Sequence, residues 1–398
     1  MSNNTVAQTF SPNPPQAGVL SWIHIGDLHM LDAGEPNDLD LQAIVERINT
    51  IFARSISFVF LPGDVAERGA PAAYAIVRAA LARLQAPWCS ILGDHDVHEK
   101  TFAPYLEAMA ASLYYAFSVG AAVKTATAGT ADSTRFIAMS AFDVPHPGSF
   151  TVSQEQLDWL KYQLEEADTQ QQRKVILLHC YPSDLKVGGK ELSALIRQYR
   201  VQLVDMGHTH YNEIANDGHT LYTATRSTGQ IEEGAVGFSI TNIDDGNVSW
   251  RFVELDQLDR QPTVMITAPS DHRLITPETP RPYGRPLTIR AKVWNSIAIT
   301  KAYATLAGKE IPLQNMPDSD LWQGICEMTD VPQGLQALRV VAEDAQGRSG
   351  DDTIYIDRGE TLPEPQRALR DQDNFIAAWP EHGLLATQLG PNKNGRKW

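Results

Sequence analysis

An α+β body followed by a small all-β sandwich is the architecture that this 398-residue chain predicts. Three observations predict it. From Val19 to about Leu258, short apolar runs alternate with amphipathic helical patterns, as they do around a sheet buried on both faces. Beyond Leu258, five prolines fall within residues 262–282, helical periodicity fades and period-two runs replace it. A hydrophobic fraction of 43% against 20% charged residues is that of a folded chain, and 398 residues exceed one ordinary domain.

The elements follow in order. Residues 1–18 are polar and proline-spotted and read as a loose tail. LSWIHIGD is a strand, DLDLQAIVERINTIFARS a helix and ISFVFLPGD a second strand. APAAYAIVRAALARL is helical, PWCSILGD is a strand, and SQEQLDWLKYQLEEAD is a helix capped by Ser153 with Gln156 three residues on. KVILLH and VQLVDMGH close the series as strands, with the helix ELSALIRQYR between them. PLTIRAKVW, ALRVVAED and DTIYID, separated by turn signals such as AGKE, PQG and AQGRSG, then predict an antiparallel sandwich. The expected units are a tail over 1–18, a body over 19–258, a sandwich over 259–360 and a C-terminal tail over 361–398.

Acidic residues outnumber basic ones by 48 to 33, for a net charge of −15. A surface so negative repels phosphate backbones, so a nucleic-acid polymer is not an expected partner, whereas a small phosphate held by local cations is compatible. No run approaches the ~20 apolar residues that span a bilayer, and the first residues carry neither charge nor apolar core of a secretory signal. The expected location is cytoplasmic, without membrane association; oligomeric state has no sequence signal. Three scattered cysteines, Cys89, Cys180 and Cys326, suit neither a disulfide framework nor a thiolate zinc site.

Chemistry gathers just beyond the carboxyl ends of strands in such sheets. The first strand ends in Gly26-Asp27-Leu28-His29, the second in Gly63-Asp64 and the third in Gly93-Asp94-His95-Asp96. The fourth ends in His179 and the fifth in Gly207-His208-Thr209-His210. Five successive strand ends thus deliver carboxylates and imidazoles, the ligands of Zn, Fe and Mn, to one rim. The other histidines, His24, His98, His146, His219, His272 and His382, have no such placement and read as ordinary core or surface residues.

This ordered set, D-x-H, G-D, G-N-H-D/E, H and G-H-x-H, resembles the signature of the calcineurin-like metallophosphoesterase superfamily over roughly residues 19–258. The stretch TATRSTGQIEEGAVGFSITNID is similar to the branch that contains cyclic nucleotide phosphodiesterases. The later β-rich segment resembles an immunoglobulin-like or fibronectin-like module. The resemblance implies a four-layer α/β/β/α fold and two transition-metal ions ~3.5–4 Å apart. It implies that Asp27, His29 and His210 hold one ion, that Asp94, His179 and His208 hold the other, and that Asp64 bridges them. By the same resemblance a metal-bridging hydroxide attacks phosphorus and His95 protonates the leaving oxygen.

One ligand departs from the family pattern: Asp94 stands where Asn is usual. Two divalent ions against two carboxylates and a bridging hydroxide leave a positive core, and an ionised Asp94 brings it to about neutral. That favours a singly charged phosphodiester over a doubly charged monoester, unless one ion is ferric or Asp94 is a protonated spectator. Mn and Fe are expected over Zn for the hard-oxygen share of the donor set. Residues 63–69, GDVAERG, are similar to the G-D-x-x-D-R-G block of protein phosphatases, which implies that Glu67 orients His95 and that Arg68 meets the phosphate. The competing reading is an exposed pair capping the next helix. Glu67 also stands where purple acid phosphatases carry a tyrosine ligand. Arg226 and Cys180, near the motifs in sequence, are candidates for shaping the substrate pocket, against plain packing roles. The expected enzyme is a phosphodiesterase; the alternatives are a phosphomonoesterase or protein phosphatase, or a scaffold without turnover.

Overall fold

The computed structural model describes residues 10–97, 101–110, 112–120, 133–142, 150–280, 286–359 and 374–385. His98 and His146 therefore lie outside the described residues, as do residues 1–9, the segment 360–373 and the residues from 386 on. The strands are β1 (Val19–His24), β2 (Phe58–Leu61), β3 (Trp88–Ser90), β4 (Tyr115–Gly120), β5 (Ser133–Ala138), β6 (Arg173–Leu177) and β7 (Leu203–Met206). Then come β8 (Glu213–Asn216), β9 (Leu221–Ala224), β10 (Gly237–Asp244) and β11 (Asn247–Glu254). The helices are α1 (Pro36–Arg47), α2 (Pro71–Leu81), α3 (Ala103–Ala108), α4 (Gln154–Thr169) and α5 (Gly189–Gln198). Proline opens α1 and α2, where its missing N–H costs nothing, and the Ser153 hydroxyl caps α4 by accepting from the Gln156 N–H at 3.3 Å.

Two sheets result, ordered β11-β10-β1-β2-β3 and β4-β5-β6-β7-β9-β8. In the first, β1, β2 and β3 run parallel; in the second, β5, β6, β7 and β9 do. Side-chain alternation sorts each strand between two layers. Leu20, Trp22, Phe58 and Phe60 face the opposite sheet and pack with Phe136, Val175, Leu177 and Leu203. Ile23, Val59 and Leu61 turn outward onto Leu41, Ile44, Tyr74 and Val77 of α1 and α2, while Ile137 and Ile176 meet Leu157, Leu160, Leu192 and Ile196 of α4 and α5. Helices, sheet, sheet, helices: this is the four-layer arrangement.

The remaining strands are β12 (Thr263–Ala268), β13 (Leu287–Trp294), β14 (Ile299–Leu306), β15 (Lys309–Pro312), β16 (Gln314–Asn315), β17 (Leu321–Cys326), β18 (Leu335–Asp344) and β19 (Ser349–Asp357). They form two four-stranded antiparallel sheets, β12-β13-β17-β16 and β15-β14-β18-β19, that fit a β-sandwich. The sandwich does not hang free. Lys292 Nζ donates to Ser21 Oγ at 2.7 Å and to the Ser55 carbonyl at 2.8 Å, and Trp294 Nε1 donates to Ser55 Oγ at 2.5 Å.

Both expected tails are partly docked. Phe10 packs edge-on against Phe117 at 4.6 Å and Phe58 at 5.9 Å, so the expected tail meets the inner layer at residue 10. Ile376 donates its N–H to the Ile214 carbonyl at 2.8 Å, and Phe375 bridges to Ala215 on the edge strand β8. A segment paired on an exposed strand edge satisfies its orphan backbone groups.

Lys292 is fully buried, and burial together with the neighbouring Arg290 pushes its ammonium down to about 7. The unfolded chain therefore binds more protons than the folded one from about pH 7 up to the ordinary lysine range. This residue's contribution is full above that range and is lost as pH falls through 7. Urea unfolding at pH 7 and at pH 9.5 should show a smaller gain with pH for Lys292→Met than for the parent, by a few kcal/mol. Equal gains would mean that the ammonium is better solvated than its burial indicates.

Candidate metal centre

Every ligand expected from sequence lies in a loop that leaves a strand end toward the same rim. Asp27 and His29 follow β1, Asp64 follows β2, Asp94 follows β3, His179 follows β6, and His208 and His210 follow β7. The turns are tight enough that His29, Asp64, His208 and His210 all take positive φ, between 45° and 66°. Such backbone costs a non-glycine residue about 1–3 kcal/mol and clusters at functional sites. The glycines ahead of the ligands serve close approach: a Cβ on Gly93 would stand 2.1 Å from Asp64 Oδ1, and one on Gly207 would stand 2.3 Å from Asp27 Oδ1.

Two donor clusters share one carboxylate. Asp27, His29, Asp64 and His210 offer ligand atoms within 4.8 Å of one another, and so do Asp64, Asp94, His179 and His208. His29 Nε2 and His210 Nε2 face each other at 2.9 Å, with Asp27 Oδ2 at 3.6 Å from His210 and Asp64 Oδ2 at 3.8 Å from His29. In the second cluster His179 Nε2 lies 3.2 Å from Asp94 Oδ1 and 3.5 Å from Asp64 Oδ2, and His208 Nδ1 lies 3.4 Å from Asp94 Oδ1. The first cluster is sealed, its four residues no more than 2% exposed. The second opens to solvent through Asp94 and His208, each 17% exposed.

The residues fit two cations. Asp27 accepts from the His208 N–H through Oδ2, while its buried Oδ1 has no hydrogen-bond partner. Burial, with the charge of Asp64 added, raises the Asp27 carboxyl above its ordinary range. Burial also opposes the charge of Asp94, but hydrogen bonds with His179 and His208 outweigh it and hold that carboxyl well below the usual range. His210 is pushed down to about 3 by burial and by the adjacent His29, which leaves a neutral imidazole, the form that ligates. His179 Nδ1 donates to the Pro62 carbonyl at 2.7 Å and His29 Nδ1 donates to Glu67 Oε2 at 2.6 Å, so each ring presents Nε2 inward.

Glu67 thus does more than sequence suggested. It stands 3.2 Å from His95 Nδ1, which also donates to the Glu67 carbonyl at 3.1 Å, yet its tighter contact is with the ligand His29. Gln230, unsuspected from sequence, pins the carboxylate by donating to Oε2 at 2.8 Å. Asp96 was legible only as the residue after His95. Buried entirely, it accepts from the N–H groups of Ala66 at 2.9 Å and Gly93 at 3.0 Å and from the Tyr74 hydroxyl at 2.9 Å, tying the second and third loops together. His95 itself is 36% exposed, and Arg68 is exposed beside it.

The expectation that Arg226 binds substrate is corrected. Its guanidinium is 1% exposed, pairs with Glu254 at 2.8 Å and lies over the Phe252 ring at 3.9 Å, so it is held in the interior. Cys180 is fully buried in the apolar core, in keeping with packing. Among the remaining histidines, His24 pairs with Asp205 and His382 with Asp352, both in the interior.

A family model described as calcineurin-like phosphoesterase matches residues 21–212. A curated protein of Synechococcus sp., named "Probable cyclic nucleotide phosphodiesterase", is 27% identical over 265 residues, which span 60% of this chain and 89% of that protein. Among solved structures, a dimetal phosphatase from Danio rerio is similar at 15% identity and a TM-score of 0.47, over 59% of this chain and 97% of that one. A purple acid phosphatase from seeds of yellow lupin (Lupinus luteus) is similar at 15% identity and a TM-score of 0.45, over 62% and 53% of the two chains. No helix among the described residues is long and apolar enough to cross a membrane.

Because Glu67 fixes the orientation and basicity of His29, Glu67→Gln should weaken cation binding at the Asp27 cluster by about 10–100-fold and leave the Asp94 cluster near its parent affinity. Calorimetric titration of the metal-stripped chain with Mn(II) resolves the two. Equal loss at both clusters would show that Glu67 acts on the fold as a whole.

Proposed function

With residues 21–212 forming a calcineurin-like phosphoesterase domain, we propose that this chain is a two-metal phosphodiesterase acting on a small, singly charged phosphate diester. The observation that carries the reading is the pair of donor clusters sharing Asp64, with the third carboxylate, Asp94, held ionised at the open edge. The carboxylate share of the set, two in each cluster with Asp64 counted in both, favours manganese and iron over zinc. When bound, two such ions supply Lewis-acidic charge for the phosphoryl oxygens and an activated water.

The chain's own groups do the rest. Substrate reaches the centre from the side of Asp94 and His208, since the Asp27 cluster is closed to solvent. His95, at that mouth, spends Nδ1–H on Glu67 and keeps Nε2 for the leaving oxygen, to which it hands a proton. Glu67 holds His95 and His29 in one frame, so the proton donor and the Asp27 cluster keep a fixed relation. Arg68 adds a cation on the exposed rim for a second phosphoryl oxygen. The ionised Asp94 faces incoming substrate and disfavours a second negative charge there. Relationship to a protein named as a probable cyclic nucleotide phosphodiesterase supports a diester, at 27% identity.

A panel of diester, monoester and cyclic nucleotide, run on protein whose Mn and Fe have been quantified, tests the reading; no turnover of any member with two ions bound would favour a binding scaffold. His95→Ala should keep both ions and lose about 10²–10⁴-fold in turnover of an alkyl ester. The loss should be much smaller with a nitrophenyl ester, whose leaving group needs no proton. An equal loss on both would remove the proton-donor role.

Asp94→Asn takes one negative charge from the open edge. The ratio of monoester to diester turnover should rise, with metal content largely kept, because attraction scales with substrate charge. A ferric site predicts instead lost iron and lost turnover of both. An unchanged ratio with unchanged metals would withdraw the charge-based preference.

A further inference from the structure

Each donor cluster draws from both sheets: the first on β1, β2 and β7, the second on β2, β3, β6 and β7. The spacing of the two clusters therefore depends on how one sheet is registered over the other. Most of the layer between them is apolar, with Trp22, Phe58, Phe60, Phe136 and Leu203 in contact. Apolar contact is non-directional, so by itself it tolerates a small slip. Three residues below the ligands the layer changes character. Asp205 of β7, with no exposure, accepts at Oδ1 from His24 Nδ1 at 2.9 Å and from Thr223 Oγ1 at 3.0 Å, and at Oδ2 from Trp22 Nε1 at 2.9 Å. His24 and Trp22 belong to β1 and Thr223 to β9, so one carboxylate joins three strands and both sheets. At the same level Ser239 of β10, the partner of His24 in the ladder, meets Thr225 Oγ1 at 2.6 Å, again from sheet to sheet.

We propose that Asp205 is a positioning residue of the metal centre, and that its bonds from His24, Trp22 and Thr223 lock the inter-sheet register on which the two clusters depend. Directional bonds specify register where apolar packing does not, which is the best-attested use of buried polar groups. The fold bears a cost for it: His24 Nε2 is buried and has no hydrogen-bond partner, and the ring edge rests on Phe60 at 5.0 Å. His24 and Asp205 stand three residues before Asp27 and His208, close enough for a shift to reach the ligands and too far to ligate.

The inference rests on the two-metal reading, and one experiment separates them. The 398-residue chain, stripped by chelator, is titrated with Mn(II) by calorimetry, and the electron paramagnetic resonance spectrum of the filled pair is recorded. The parent should take two equivalents and show spin coupling; a parent that takes none overturns the two-metal reading and this inference with it. His24→Leu should remain folded yet bind the pair at least tenfold more weakly, with altered coupling, and His24→Gln, which restores an N–H toward Asp205, should recover most of both. If His24→Leu does not fold, the isosteric Thr223→Val carries the test with an expected weakening of about threefold and a changed spectrum. Parent-like affinity and coupling in a folded His24→Leu, or in Thr223→Val where His24→Leu does not fold, would overturn the assignment and leave Asp205 a contributor to stability alone.

Discussion

Three carboxylates and four imidazoles gathered at the meeting of two sheets are the constraint on which this structure turns. Holding an ion out of water costs several kcal/mol even after relaxation, and Asp27, Asp64 and Asp94 lie within one small volume. Hydrogen bonds offset part of that: the His95 N–H serves Asp64 at 2.8 Å and the His208 N–H serves Asp27 at 2.8 Å. Cation charge is the natural remainder. The strained left-handed turns at His29, Asp64, His208 and His210 belong to the same balance, since they aim donors that ordinary strand ends would splay.

The support for those turns comes from distant parts of the chain. Asn212, two residues past His210, accepts from the Arg226 N–H at 2.8 Å and donates to the Gly383 carbonyl at 2.9 Å, while Glu233 accepts from its backbone at 3.0 Å. The docked segment 374–385 thus reaches the last ligand loop through one side chain. It is fastened in turn by His382, which faces Asp352 of β19 at 2.7 Å and the Trp250 carbonyl at 3.0 Å. Arg290 and Thr267 meet Asp244 of β10, so the C-terminal strands brace the first sheet as well. The sandwich and the segment 374–385 are therefore part of what keeps the ligand loops in place, not ornaments at the edge of the fold.

How much of this was legible follows from what a linear pattern can carry. The parallel strands β1, β2, β3, β6 and β7 and their flanking helices were readable, because buried runs bounded by Gly-Asp or Gly-His punctuation are dense local signals. The hairpin partners β4, β5, β8 and β9 were not, being short or half-exposed. Nor were β10 and β11: sequences such as SITNID and NVSWRF look solvent-facing, yet they are buried because the sandwich covers them. All seven residues of the two clusters were legible, since each sits at a strand end. Arg226 misled because nearness to the motifs in sequence was its only signal, and its side chain turns to Glu254 rather than to the rim. Gln230 and Asn212 could not be found at all, as their roles depend on which loops happen to lie against one another.

The asymmetry between the two clusters gives Asp94 its meaning. Asp27, His29, Asp64 and His210 are shut away, so no substituent there can meet a substrate directly. Asp94 and His208 share the open side with His95 and, beyond it, Arg68. A charge added in the closed cluster would alter cation affinity and be felt by substrate only through the ions. A charge added at Asp94 acts on both, because the carboxylate belongs to the cluster and also borders the path of approach. The chain as a whole carries −15, so phosphate is repelled from afar and attracted only close in. On the phosphodiester proposal, the local sign at the mouth then weighs on which esters enter, and the departure at Asp94 falls at that mouth.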